Sequence, residues 1–150
     1  MLPRRLSRKI VDAEPFQIWN AFINLLALEK HEVMDAIQRP PHLVFRYMSE
    51  VYNGGHLQYF ENLGTVHLNE TIDALGLLGA NGQKDILNRA GELWLGKERN
   101  RIQTAEEFSA IALEGEFMSL DSIFNESKPT LEEFLEDYLR AHESSFVIIE

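Results

Sequence analysis

The chain predicts an all-α fold, a single compact domain of about six to eight helices. Three observations carry that expectation. Apolar residues recur at three- and four-residue spacing in segment after segment, the period that lines one face of a helix. Turn-forming residues fall between those segments, at Pro40-Pro41, Gly54-Gly55 and Gly79-Ala80-Asn81-Gly82. Two capping boxes, Thr104-Ala105-Glu106-Glu107 and Thr130-Leu131-Glu132-Glu133, open helices in the last third. At 150 residues, with 45% hydrophobic and 25% charged residues, the chain suits one domain burying roughly two-thirds of its unfolded surface.

Taken in order, residues 1–11 carry Arg4, Arg5, Arg8 and Lys9 and are expected to form a flexible basic segment. They lack the apolar core of a secretory signal. Asp12 as a cap and Pro15 in the first turn predict a helix start. The helix itself is striped by Phe16, Trp19, Ile23 and Leu26, with Ile18, Phe22 and Leu25 widening the face. This run to Leu28 is the most apolar in the chain, yet too short to span a bilayer. His31 to Gln38 is compatible with a second helical segment that Pro40-Pro41 must stop. Leu43 to Tyr52 repeats the helical period through Val44, Tyr47, Met48 and Val51.

Beyond the two glycines, a short helix ends at Gly64, and Val66 to Leu78 makes the next. Ile86, Leu87, Ala90, Leu93 and Trp94 line another, closed near Gly96, and Lys97 to Gln103 reads as a connection. Phe108, Ile111 and Ala112 follow the first capping box, and Phe117 to Phe124 reads as a short helix after Gly115. The second capping box opens the cleanest stripe of all: Leu131, Phe134, Leu135, Tyr138 and Leu139. Phe146 to Ile149 alone has strand-like composition. With no second strand in view, the tail is expected to dock on the helices.

The most specific residue choices surround the glycine pair. Two adjacent glycines permit a positive φ, and Gln58 and Asn62, four apart, share one helix face. Tyr59 and Phe60 bury the adjoining side. The segment predicts a sharp corner between helices, with the amides free to bond loose backbone groups. Asn53, Gly54, Gly55, Gln58, Tyr59, Phe60, Asn62 and Gly64 also form a recognisable motif. It resembles a bacterial family of uncharacterised domains that includes a Neisseria DNA-mimic protein. Leu75 to Ala80, Leu120 to Phe124, Tyr138 and Phe146 extend the likeness, which covers the chain from about Leu43 onward. The chain departs from the family pattern at Tyr52 and His56. The resemblance implies a bacterial protein that presents acidic side chains to the basic surface of a DNA-binding regulator or a nuclease.

Charge is distributed in keeping with that implication. Residues 1–103 hold 12 acidic and 12 basic side chains, whereas residues 104–150 hold 12 acidic and two basic, so the net −10 lies wholly in the last third. Such a field repels nucleic acid and attracts basic partners over about a Debye length. Glu132, Glu133, Glu136 and Asp137 stand opposite the apolar stripe of the last helix. Glu106, Glu107, Glu114, Glu116 and Asp121 lie close in sequence, and together these nine are the candidate partner-binding carboxylates. DNA presents one phosphate charge about every 1.7 Å of its axis, and a mimic must hold carboxylates at comparable density. A solvated charged face is the plainer reading of the same residues.

Other chemistries have weaker signals. His56 paired with Glu50 or Glu61 would suit acid–base work, and His56, Gln58, Tyr59 and Glu61 would centre a small-ligand site or an enzyme, but no activated nucleophile is evident. An immunity protein paired with a toxin is a further alternative. Absent cysteine excludes thiolate metal sites and disulfides and agrees with a cytoplasmic location. His31, His42, His56, His67 and His142 show no metal-binding spacing; His31 and Asp35, one turn apart, are the nearest to a ligand pair. Gly76, Gly79 and Gly82 do not make a phosphate loop. The expectation is a non-enzymatic protein without cofactor, metal, membrane span or nucleic-acid contact, with a homodimer left open.

Overall fold

The computed structural model describes residues 2–150. In chain order these form β1 (Arg4–Leu6), α1 (Arg8–Ala13), α2 (Gln17–Leu28), a 3-10 turn (His31–Val33) and α3 (Arg39–Leu63). There follow α4 (Leu68–Leu77), α5 (Asn81–Leu95), α6 (Ala105–Ala112), α7 (Met118–Glu126) and α8 (Leu131–His142). A second 3-10 turn (Glu143–Ser145) leads into β2 (Val147–Ile149). The all-α expectation holds, with eight α-helices among the described residues.

Helix α3 is the axis of the molecule: α2, α4, α7 and α8 all pack against it. It begins at Arg39 and carries Pro40 and Pro41 in its first turn, which they suit because amides there have no carbonyl partner within the helix. Its inner face contributes Val44, Tyr47, Val51, Leu57 and Phe60 to the core. Phe22, Leu25 and Leu26 from α2, Leu75 from α4, Leu87 from α5 and Leu131 and Leu135 from α8 complete it, each nearly or fully inaccessible. Burying one such side chain contributes about 1.5–3 kcal/mol. No helix among the described residues is long and apolar enough to cross a membrane.

Helix ends differ from expectation where a side chain finds a closer partner. Asp12, expected to cap the helix striped from Phe16, lies inside an additional helix, α1, which Ser7 caps, its Oγ accepting from the Ile10 amide at 3.1 Å. Helix α2 starts without a side-chain cap, and Phe16 stays 58% exposed instead of joining the stripe. Thr104 accepts from the Glu107 amide at 3.1 Å, but Glu107 reaches past it to the Gln103 amide at 2.8 Å. Only Thr130 and Glu133 form the reciprocal box.

The largest departure joins the two ends of the chain. The strand-like tail does have a partner: β2 runs parallel to β1, with Arg4 opposite Val147 and Leu6 opposite Ile149. Residues expected to form a flexible basic segment therefore supply a strand and most of α1; Met1 lies outside the described residues. Arg4 pairs with Glu29 at 2.8 Å and bonds Asn24 at 2.9 Å, while Arg5 pairs with Glu150. The tail also docks as expected, since Phe146 is fully buried and sits edge-on to Phe22 at 4.8 Å.

Candidate functional site

Three places among the described residues hold polar groups beyond what helices need: the kink in α3, the acidic surface of the C-terminal helices and a histidine cluster where α4 begins. At the kink, Gly54 and Gly55 leave helical geometry, with Gly55 at φ +74°. This re-aims the chain so that His56 points inward, fully buried. Its Nε2 lies 2.7 Å from the Tyr47 hydroxyl and its Nδ1 lies 2.6 Å from Asp121 Oδ1. The same Asp121 oxygen accepts the His56 backbone amide at 2.9 Å. Burial holds the Tyr47 hydroxyl well above the usual tyrosine pKa, so it stays protonated beside Nε2. Nδ1–H then donates to the carboxylate.

The glycines are explained by what reaches them. A Cβ on Gly55 would stand 2.5 Å from Asp121 Oδ2, and one on Gly54 would stand 2.8 Å from the Gln58 Cβ. A side chain at Gly55 would exclude Asp121 and leave His56 buried without its acceptor, at a cost of several kcal/mol. Tyr47 further packs edge-on to Phe124 and Tyr59, at 5.5 and 5.0 Å.

The amides of the motif bond a side chain, not loose backbone groups. Gln58 Nε2 and Asn62 Nδ2 both donate to Glu50 Oε2, each at 2.8 Å, bracing the two halves of α3 across the kink. Gly64 ends the helix at φ +61°. Tyr59 and Phe60 are buried and Asn53 is exposed. The acid–base pairing of His56 with Glu50 or Glu61 does not form: Glu50 is held by the two amides, and His56 faces Asp121. A cleft of about 200 Å³ adjoins the kink, bordered by Gly54, Leu57, Phe117 and Asp121, smaller than the roughly 300–1,000 Å³ of typical ligand sites.

The nine candidate carboxylates divide into inward and outward groups. Asp121 is the clamp just described. Glu116 accepts both arms of the Arg99 guanidinium at 2.8 Å, with Lys97 at 3.6 Å; the Arg99 hydrogen bonds hold its carboxyl below the usual glutamate range. Arg99 also stacks 4.3 Å over Trp94 and bonds the last carbonyls of α5, Leu93 and Trp94. These two acids are thus tied into the fold and leave the candidate surface.

The other seven stay on the outside. Glu106, Glu107 and Glu114 are exposed on and just after α6, and Glu133, Glu136 and Asp137 on α8; Glu132 is half-buried. Glu107 and Glu133 anchor helix starts, Glu132 accepts from Tyr52 at 3.4 Å, and Asp137 pairs with Arg140. Helix α8 packs on α3 and buries Leu131, Leu135 and Leu139, while Glu133, Glu136 and Asp137 face solvent.

A third polar cluster has no sequence signal. His31, His67 and Glu70 come together where α4 begins, beside buried His42. Burial, aided by the charge of Arg46, lowers His42 to a pKa of about 4. The His31–Asp35 pairing considered from spacing does not form, because Asp35 caps the amides of Ile37 and Gln38 at 2.9 Å.

Fold and site together define a small acidic all-α domain whose central helix is kinked and clamped, with carboxylates of its last helices turned outward. The chain belongs to the DMP19-like protein family, whose model matches residues 33–142. That span contains the glycine motif, Asp121 and the carboxylates of α6 and α8, and it agrees with the resemblance carried by Asn53 to Gly64. No curated protein and no solved structure matches the chain.

Proposed function

We propose that this chain is a non-enzymatic acidic binding protein of the DNA-mimic type, which occupies the DNA-binding surface of a basic partner protein. Family membership supports the general type. The observation that carries the reading to particular residues is α8. Its acidic side is solvent-facing, its start is fixed by a reciprocal capping box and its apolar side is anchored in the core. Carboxylates on such a helix are held in place before binding, which lowers the entropy lost on association. A mobile acidic tail would lack that advantage.

Glu136 and Asp137 stand one turn beyond Glu132 and Glu133, so like charges meet at i, i+4. That repulsion costs about 0.2–0.5 kcal/mol per pair in the free protein. A basic partner relieves it, so part of the binding energy comes from cancelling a strain already present. Glu106, Glu107 and Glu114 add to the same negative field and would steer association.

Charge reversal tests this. Glu133 is left intact because it caps the helix. The triple variant E132K/E136K/D137K is expected to keep the helical circular dichroism spectrum and to lose capture of the partner that the wild-type protein retains at low salt. Equal retention by the triple variant would remove α8 from the interface.

A further inference from the structure

We propose that His31, His67 and Glu70 form a binding site for one divalent transition-metal ion of zinc-like preference. The ion would tie the α2–α3 connection to the start of α4.

The three residues come from separate parts of the chain. His31 opens the 3-10 turn after α2, His67 immediately precedes α4, and Glu70 lies in the first turn of that helix. Their ligand atoms all lie within 4.8 Å of one another. Glu70 offers a different oxygen to each imidazole: Oε2 stands 3.5 Å from His31 Nε2, and Oε1 stands 3.2 Å from His67 Nδ1. Tetrahedral zinc with nitrogen and oxygen ligands at about 2.0–2.2 Å places neighbouring donors roughly 3.4 Å apart. Each imidazole already stands at about that distance from one Glu70 oxygen, and a small turn of the carboxylate, whose side chain is 56% exposed, would present one oxygen to both. The His31 and His67 rings already lie 4.5 Å apart between centroids, so a small adjustment of the part-exposed His67 side chain completes the site.

His42 supplies an independent argument. Its Nδ1 lies 3.3 Å from His31 Nδ1, and it is rigidly held, being buried in the first turns of α3. A hydrogen bond between the two Nδ1 atoms fixes the ring orientation of His31. With His31 as donor, its Nε2 lone pair is turned toward Glu70 and His67. Metal-binding histidines are oriented in this way by a partner on the opposite nitrogen. The donor set, two imidazoles and one carboxylate without thiolate, favours zinc, cobalt or nickel over calcium or magnesium. Three protein ligands leave a coordination position for water or for a side chain of another molecule.

The test uses untagged, chelator-treated full-length protein, titrated with Zn2+ by calorimetry and with Co2+ by visible absorption. One equivalent per chain is expected, with the intense visible bands of four-coordinate cobalt and a rise in Tm on adding Zn2+. H67A alters a half-buried side chain and E70Q an exposed one, both outside the core; each should weaken Zn2+ binding at least about tenfold. E92Q, on the outer side of α5, should leave it unchanged. Absence of one-to-one binding would overturn the site. So would equal affinity in H67A and E70Q, which would mean an adventitious surface ion.

Discussion

Asp121 and Glu136 are both carboxylates of the acidic C-terminal third, yet they do opposite things. Asp121, on α7, points inward, accepts two hydrogen bonds from His56 and holds the kink of α3. Glu136, on α8, points outward and makes no hydrogen bond or ion pair among the described residues. The first stabilises the native fold. The second slightly opposes it, through repulsion with Glu132. What separates them is context: a buried imidazole demands an acceptor, whereas an exposed helix face demands nothing. Charge counting along a sequence therefore measures the field of the protein but not which acids are available to generate a binding surface.

The contrast can be broken from the inside first. D121A leaves His56 buried without its acceptor and should destabilise the protein by about 3 kcal/mol, read by denaturant unfolding. G55A should have an effect of similar size, since it places a Cβ against Asp121 at a positive φ. Y47F removes the other partner of the imidazole and should cost about 1–3 kcal/mol. A wild-type unfolding midpoint in all three would mean that the relay does not hold the kink.

Glu116 sharpens the comparison with a pH dependence. Its carboxyl is held below the ordinary glutamate value by Arg99, so the folded state binds the proton less readily than the unfolded one. The pair's stabilisation is complete above the unfolded pKa and is lost as pH falls through the lowered folded value. E116Q should be less stable than wild type by about 1 kcal/mol near pH 7. The two unfolding curves should converge on acidification. The smallest effect belongs to the outer face: E136Q should change stability by only a few tenths of a kcal/mol, toward greater stability, because its repulsion with Glu132 is removed while the first-turn charge of Glu132 stays.

Most of the fold was legible in the sequence because helical periodicity, capping and glycine punctuation are local signals. Leu131, Leu135 and Leu139 announce their buried side through spacing alone, and Asn53 to Gly64 announce the corner. Local misses are confined to helix ends and caps, such as Asp12, Phe16 and Thr104; the larger misses are long-range pairings. Arg4 finds Val147 and His31 finds His67 without any local mark, and Asp121 meets His56 from 65 residues away. One partial clue was present: His56 follows two glycines and adjoins Leu57, Tyr59 and Phe60, but nothing local names its acceptor. For the candidate surface, the sequence marked nine acids, and only packing could remove Glu116 and Asp121 from that group.

The central claim is that the outward carboxylates of α8 stand in for the phosphates of a duplex. It is tested most directly by adding duplex DNA to the partner captured on the immobilised protein. Progressive release of the partner by the duplex is the expected result, with capture that weakens steeply as salt rises and is lost in E132K/E136K/D137K. A partner that stays bound under saturating DNA, or that the triple variant holds as well as wild type, would contradict the claim.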